Sequence, residues 1–379
     1  MSVVADKIAE LVILGYNGLP ASGKPGVRSN GVKEWTVLAG VVAFDDVNDE
    51  FELISLGTGV KATTEEELKR SGGRIVHDCH AEIVSLRGFN AMLLKEIQDL
   101  QKGLTSFLVE KTSGCYKVKD KWSFAIYVSR IPCGDASMDV LSTEEQSDSI
   151  DYDLLDGDYT SRQYIDPDID TIIRGRANYK LRRVVRTKPG RFDSKLSLSK
   201  SCSDKLTMKQ MTSICNSLTW TLLETPTYLD FVVLPNRYKT EILRLEDTFW
   251  ARLAGQEFTN LNFLFTDQSF ADDQSNPSQK PSLSSYVALY NSNGMTSEVI
   301  LNGVKNGFYT KGKKPLRKGC QTIISRYALW ETFKRISNHP SNVDYLTFKA
   351  NVHDRSKVVC NAKIALSAHG WIPTHEDNC

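Results

Sequence analysis

The 379-residue sequence predicts an α/β fold. Two observations carry that reading: strand-like runs alternate with helical periodicity, and helical patterns crowd the C-terminal half. Residues 4–14 have helical spacing, and a Gly/Pro/Ser-rich loop follows from Gly15 to Gly31. Trp35 to Phe44 and Phe51 to Leu56 are β-rich runs separated by a polar turn, which makes a strand–turn–strand unit. Ile83, Leu86, Phe89, Leu93, Ile97 and Leu100 recur at helical spacing, so a helix starts just after His80. Trp122 to Ser129 is another strand, stopped at Ile131-Pro132-Cys133-Gly134, and Asp230 to Leu234 is a short one. Helical patterns fill 206–224, 237–254, 319–336 and 347–367. No internal repeat is visible, and 1–379 is read as one domain.

With 41% hydrophobic and 25% charged residues, the chain has enough apolar material for a sizeable core. The net charge of +1 predicts no nucleic-acid partner, but it conceals a local asymmetry. Ten acidic residues and one basic one lie between Glu144 and Asp170, so 143–171 is expected to be a solvated, mobile insertion. From Arg174 to Lys200 the balance inverts, with ten basic residues against Asp193 alone. Such a block is either a solvated loop compensating its neighbour or a phosphate-binding surface, and clustered Lys and Arg are the footprint of an RNA backbone. No apolar run is long enough to cross a bilayer as a helix. Asp6, Lys7 and Glu10 interrupt the N-terminal apolar residues, which suits an amphipathic helix rather than a secretory signal. An intracellular protein of cytoplasm or nucleus, not secreted, is expected. Its eight dispersed cysteines are then thiols or metal ligands rather than disulfides. Nothing in the sequence calls for an obligate protein partner.

Histidine is scarce, and two of the six, His77 and His80, sit three residues apart. His80-Ala81-Glu82 at a helix start is weak alone, because an acidic residue in a first turn also favours the macrodipole without any chemistry. Pro132-Cys133-Gly134 at a strand-to-helix junction changes the odds. Nucleobase deaminases join His-x-Glu to such a Pro-Cys, because zinc needs three protein ligands and one open position for water. Converging helix N-termini present an imidazole and a thiolate and help keep the thiolate ionised. A glutamate two residues from the histidine reaches the water without taking a coordination position. The usual Cys-x-x-Cys is missing, so a third ligand has to come from elsewhere. Composition leaves Cys79, Cys115, Cys202, Cys215, Cys320, Cys360 and Cys379 open. Cys202 has the best local case, beside the basic block and before a helix that Ser203 or Asp204 is placed to cap.

His77-Asp78-Cys79-His80-Ala81-Glu82, Pro132-Cys133-Gly134-Asp135 and Ser201-Cys202-Ser203-Asp204-Lys205 resemble the three signature segments of adenosine deaminases acting on RNA. Gly57 to Lys61 and Glu298-Val299-Ile300 also match, and the similarity runs with gaps over nearly the whole chain. The resemblance implies a cytidine-deaminase-like three-layer α/β/α core with a mixed central sheet, elaborated by C-terminal helices. It implies zinc ligated by His80, Cys133 and Cys202, with Glu82 as the catalytic proton shuttle. Lys7 to Glu10, Gly23-Lys24-Pro25, Glu34-Trp35-Thr36 and Arg186 to Arg191 are similar to the tRNA-specific branch, which makes inosine from adenosine 37 of tRNA-Ala. The segment after Lys188 lacks the Gly-Glu-Gly base-flipping loop of the mRNA-editing branch.

The resemblance further implies a buried inositol hexakisphosphate. Its matching positions are Arg87, Lys205, Arg326, Lys349, Lys363 and Trp371, with Asp78 and Lys205 linking it to the zinc site. Leu86 stands where the family often has a second arginine, and Lys209 where the mRNA-editing branch has tryptophan. Val60, Lys61, Lys188 and Arg191 are the expected RNA contacts. Two rival readings are deamination of another structured RNA and an inactive RNA-binding subunit with structural zinc, the second of which has no need of Glu82.

Overall fold

Apolar residues on one side of the first helix, α1 (Ser2–Asn17), decide the outermost layer. Ala5, Ile8, Ala9 and Val12 are buried, while Val3 and Leu14 on the other side are exposed. The computed structural model describes residues 2–144, 172–175, 182–188, 195, 197–292, 294–312, 314–338, 342–367 and 371–379. Among these, the central sheet is built from β1 (Leu38–Asp45), β2 (Glu50–Thr58), β3 (Ser123–Val128) and β4 (Phe231–Pro235). It is completed by β5 (Asn262–Thr266), β6 (Ser284–Asn291), β7 (Gly294–Leu301) and β8 (Val304–Lys305). The order is β5-β4-β3-β1-β2-β6-β7-β8. Strands β3, β4 and β5 run parallel, and the remaining neighbours pair antiparallel, so the sheet is mixed as expected.

Every side chain of β1 is buried, the signature of a strand covered on both faces. Leu38, Val42 and Phe44 pack with α1, whereas Ala39, Val41 and Ala43 face the second helix, α2 (Ala81–Gln101). This alternation makes the three layers. Gly57 on β2 lets the first turn of α2 lie against the sheet. A Cβ there would fall 2.6 Å from the Ala81 carbonyl oxygen and 2.7 Å from the Ser85 nitrogen.

Outside the core lie α3 (Cys202–Thr212), α4 (Ser217–Leu222), α5 (Ile242–Phe249), α6 (Arg326–Ser337), α7 (Tyr345–Asn351) and α8 (His353–Leu366). Helix α6 packs on α2 and α8 on α3, and Trp330, Phe333 and Phe348 stack between α6 and α7. The expected helical stretches are shorter and more broken than their periodicity. The 206–224 pattern is two helices, because Ser213 takes a φ of 64° and Asn216 opens α4 with a capping box to Thr219. Helix α3 is capped by Ser201, which accepts from the Asp204 amide, and not by Ser203 or Asp204. The 237–254 pattern holds a short 3-10 stretch before α5 and another after it. In the 319–336 stretch the helix starts only at Arg326, after the Ser325 cap, and the last pattern breaks at Val352 into α7 and α8.

Beyond the short helix Met138–Glu144, residues 145–171 of the expected acidic segment lie outside the described residues. No helix among the described residues is long and apolar enough to cross a membrane. The segment 371–379 is non-helical and folds back onto the core. The Asp377 carboxylate accepts from Ser71 Oγ at 2.9 Å, from the Gly73 amide at 2.5 Å and from His77 Nε2 at 2.5 Å. That contact anchors the loop leading into the strand Asp78–His80.

Candidate metal centre

Three backbone turns deliver the three candidate ligands. His80 ends the short strand Asp78–His80, opposite Val60 of Val60–Ala62, and is the N-cap residue of α2. Cys133 follows β3 in the turn before a 3-10 helix, Asp135–Ser137. Gly134 makes this turn possible: its φ is +104°, and a Cβ there would meet Ser201 Oγ at 2.1 Å. Cys202 is the first residue of α3. Both cysteine sulfurs lie 3.6 Å from His80 Nδ1, and all three ligand atoms fall within 4.8 Å of one another. Ser203 sews the two cysteine segments together, its amide donating to the Cys133 carbonyl at 2.9 Å and its hydroxyl to the Pro132 carbonyl at 3.1 Å. One imidazole and two thiols around one point suit zinc, and three ligands leave a position for water. The residues present therefore fit the metal.

The charges around this point favour ionised sulfur. A hydrogen bond from Cys202 holds Cys133 well below the usual thiol range; burial opposes this, and Lys188 and His80 reinforce it. Burial and its hydrogen bond to Cys133 push Cys202 up, so Cys133 is the first of the pair to ionise. Lys188 is sealed inside at 3% exposure, with Nζ 3.3 Å from Cys202 Sγ and 2.7 and 2.9 Å from the Asp78 oxygens. Burial opposes its charge, but Asp78 and the cysteines hold its ammonium above the ordinary lysine range. Asp78 also accepts from the His80 amide at 3.1 Å, from Ser199 Oγ at 3.2 Å and from Lys205. Burial would raise this carboxyl, yet Lys188 and Lys205 keep it far below the usual carboxylate range. Glu82 sits one residue inside α2, 3% exposed. Burial raises its carboxyl above the ordinary range, and the neighbouring Cys133 charge adds to the rise. A carboxyl of raised affinity for protons beside a metal-water position can accept and return one near neutral pH.

A second cluster lies beyond Lys205. Lys200, Lys209, Arg326, Lys349, Arg355 and Lys363 come together there, with Arg87 beside Arg326. Burial and mutual repulsion lower Lys200 and Lys349 to about 8 and Lys209 to about 7. The indole nitrogen of Trp371 and Nε of Arg355 are buried without a hydrogen-bond partner. Unpaired buried donors amid lysines and arginines fit a many-charged anion.

The adenosine-deaminase (editase) domain model matches residues 55–366. The chain belongs to this editase family. The protein named tRNA-specific adenosine deaminase 1 of Saccharomyces cerevisiae is 42% identical to this editase over 380 residues, 99% of this chain and 94% of that protein. Its namesake in Schizosaccharomyces pombe is 36% identical over 358 residues, 90% of this chain and 88% of the relative. The double-stranded RNA-specific editase Adar of Drosophila melanogaster is 31% identical over 205 residues, 52% of this chain and 29% of that protein. This editase is an adenosine deaminase, a hydrolase that releases the amine as ammonia.

Of the residues expected from sequence, the fold brings His80, Cys133 and Cys202 to one point, with Glu82 buried where their charges reach it and Asp78 and Lys205 joined to each other. Arg87, Arg326, Lys349, Lys363 and Trp371 line or border the cationic basin. Val60 pairs with His80 and Lys61 with Cys79, Lys61 being exposed beside the site. Lys188, expected on an RNA surface, is buried instead and faces Asp78 and Cys202, because the block that reads as a charged surface passes through the interior at 185–188. Arg191 lies outside the described residues. Sequence reasoning missed Lys200 and Arg355 as basin residues. Arg355 sits eight residues before Lys363 on α8, a spacing that returns to one side of a helix.

Proposed function

We propose that this editase converts adenosine to inosine in tRNA, at adenosine 37 beside the anticodon of tRNA-Ala, inside the cell and without an obligate protein partner. The observation that carries the substrate is alignment along almost the whole chain with proteins named tRNA-specific adenosine deaminase 1, against about half the chain for the duplex-RNA editase. The segment 1–379 acts as one deaminase domain.

His80, Cys133 and Cys202 would hold zinc, which would supply a Lewis acid to lower the pKa of a bound water. Glu82 takes the water's proton and delivers one to purine N1 as oxygen attacks C6. The carboxylate then takes the proton of the C6 hydroxyl and passes it to the departing amine, which leaves as ammonia as the C6 carbonyl forms. Lys188, fixed by Asp78, donates to Cys202 Sγ and favours the anionic form of that sulfur against its burial. Lys61 and Arg191 contact the RNA backbone beside the extruded base, and Val60 borders the base itself. A base already exposed in an anticodon loop costs less to extract than one stacked in a duplex.

The cationic basin holds inositol hexakisphosphate through Arg87, Lys205, Arg326, Lys349, Lys363 and the Trp371 indole, with Lys200, Lys209 and Arg355 adding charge. Lys205 then touches both the anion and Asp78, which couples the basin to the zinc thiolates.

Sequencing of tRNA-Ala after incubation with the purified protein tests the substrate. Inosine next to the anticodon is the expected product, and inosine confined to duplex RNA would overturn the tRNA assignment. Phosphate analysis of denatured protein tests the basin, with inositol hexakisphosphate expected in the supernatant and its absence removing that ligand.

A further inference from the structure

Behind the two cysteine-bearing turns lies a charge cluster distinct from the zinc ligands and from the cationic basin. Asp135, two residues after Cys133, and Asp204, two after Cys202, are both fully buried. Each is met by an arginine from one short stretch of chain: Arg244 on α5, and Arg252 in the 3-10 turn Ala251–Leu253 just beyond it. Arg244 donates through Nε and Nη2 to the Asp135 carbonyl at 3.0 and 2.8 Å, and through Nη2 to Oδ1 at 3.1 Å. Arg252 Nη2 donates to Asp204 Oδ1 at 2.8 Å. The two guanidinium side chains are 3% and 1% exposed.

The remaining oxygens of both aspartates are also committed. Thr248, between the two arginines, donates to Asp135 Oδ2 at 3.1 Å. Asp204 Oδ2 takes the Arg186 amide at 2.9 Å and the Ser201 hydroxyl at 2.5 Å. Helix α5 docks on α3 as well, through Thr207 Oγ1 to the Thr248 carbonyl and Gln210 Nε2 to the Phe249 carbonyl, at 3.3 and 2.8 Å. A displacement of either arginine therefore passes through one aspartate to a backbone turn that ends on a sulfur.

Stability alone does not account for these charges. Arg252 Nε and Nη1 are buried with no hydrogen-bond partner, and well-packed apolar residues of similar volume usually serve a core as well or better. What the charges do supply is direction: each guanidinium fixes a carboxylate whose backbone belongs to the same turn as a zinc ligand. Partners of this kind orient metal ligands and tune their affinity.

We propose that Arg244 and Arg252 are positioning residues of the zinc centre, a two-point clamp that sets the separation of the Cys133 and Cys202 sulfurs through Asp135 and Asp204. The clamp rests on the zinc reading above, and its test keeps the two apart. Arg244→Gln, Arg252→Gln and the conservative Arg244→Lys are made in the full chain and loaded with zinc. Release of zinc to a chromogenic chelator is timed, and visible absorption is recorded after cobalt substitution, with thermal unfolding measured alongside. The glutamine variants release zinc about tenfold faster or more and shift the cobalt bands, while Arg244→Lys restores the parent rate. Parent-like release and cobalt bands in both glutamine variants, even with a lower Tm, would reduce the arginines to packing and overturn the clamp. Should the glutamine variants fail to fold, Asp204→Asn carries the same measurements with the same two outcomes. A parent protein that retains neither zinc nor cobalt would overturn the zinc reading itself, and the clamp with it.

Discussion

The zinc centre and the cationic basin meet at Asp78 and Lys205, yet they balance charge in opposite ways. Around the sulfurs the chain supplies both signs itself: Lys188 and Lys205 flank Asp78, and Arg244 and Arg252 face Asp135 and Asp204. In the basin cations are in excess, with Asp204 and Glu65 acting on Lys200 and Asp377 on Arg87. Burial and neighbouring cations lower the proton affinity of Lys200, Lys209 and Lys349, and Trp371 carries a buried N–H without a partner. A region compensated from within needs only the chain's own charges, whereas a region with an excess of one sign is where a bound anion is expected to add stability.

The largest effect belongs to chemistry that charge balance does not touch. Glu82→Ala is expected to keep zinc and lose deamination by about a thousandfold, read by single-turnover inosine formation beside metal analysis. A comparable rate in the variant would move the proton shuttle to another residue. Asp78→Asn strikes the compensated region by leaving Lys188 and Lys205 without their anion. Its expected cost is about 3–5 kcal/mol in urea unfolding, as for breaking any buried pair from one side. A loss near zero would mean that water already screens this pair.

Lys349→Met separates the two regions by sign. It is expected to stabilise protein refolded without inositol hexakisphosphate by about 1 kcal/mol, and to destabilise protein refolded with it. The same direction in both states would show that the basin is not an anion site. A further effect is a pH gradient. Lys200 and Lys349 titrate at about 8 in the fold without an anion, against 10.5 in the unfolded chain. Below about 8 both states are charged and the burial penalty is complete. Between 8 and 10.5 the unfolded chain binds protons that the fold does not, so stability rises with pH. Thermal unfolding of ligand-free protein should therefore improve as pH rises through that window. Bound polyphosphate, which favours the charged lysines, should flatten the gradient.

Legibility in the sequence follows the range over which each feature is encoded. Helix α2 reads clearly because its apolar period is sustained over 21 residues. Strands β5 to β8 escaped, being short or alternating weakly, although the Asn-Gly dipeptide at 293–294 of the sequence is a hairpin signal. Within the site, His80 and Glu82 lie in one motif and Cys133 at one junction. Cys202 stands 69 residues beyond Cys133, a separation that no local pattern can encode and that only family resemblance supplies. The burial of Lys188 was illegible for another reason: a run of like charges shows composition, and nothing in it tells which member turns inward.

The bond between His77 and Asp377 has a consequence in time. Its partners are 300 residues apart, and Ser71 and Gly73 join the same carboxylate across similar distances. Asp377 is made some 300 residues after the loop that it closes. His80, Cys133 and Cys202 all precede Asp377, so until it arrives the histidine strand is held by Val60–Ala62 without this second tether. Contacts of such long sequence separation form slowly, which places closure of the loop into the histidine strand late in folding.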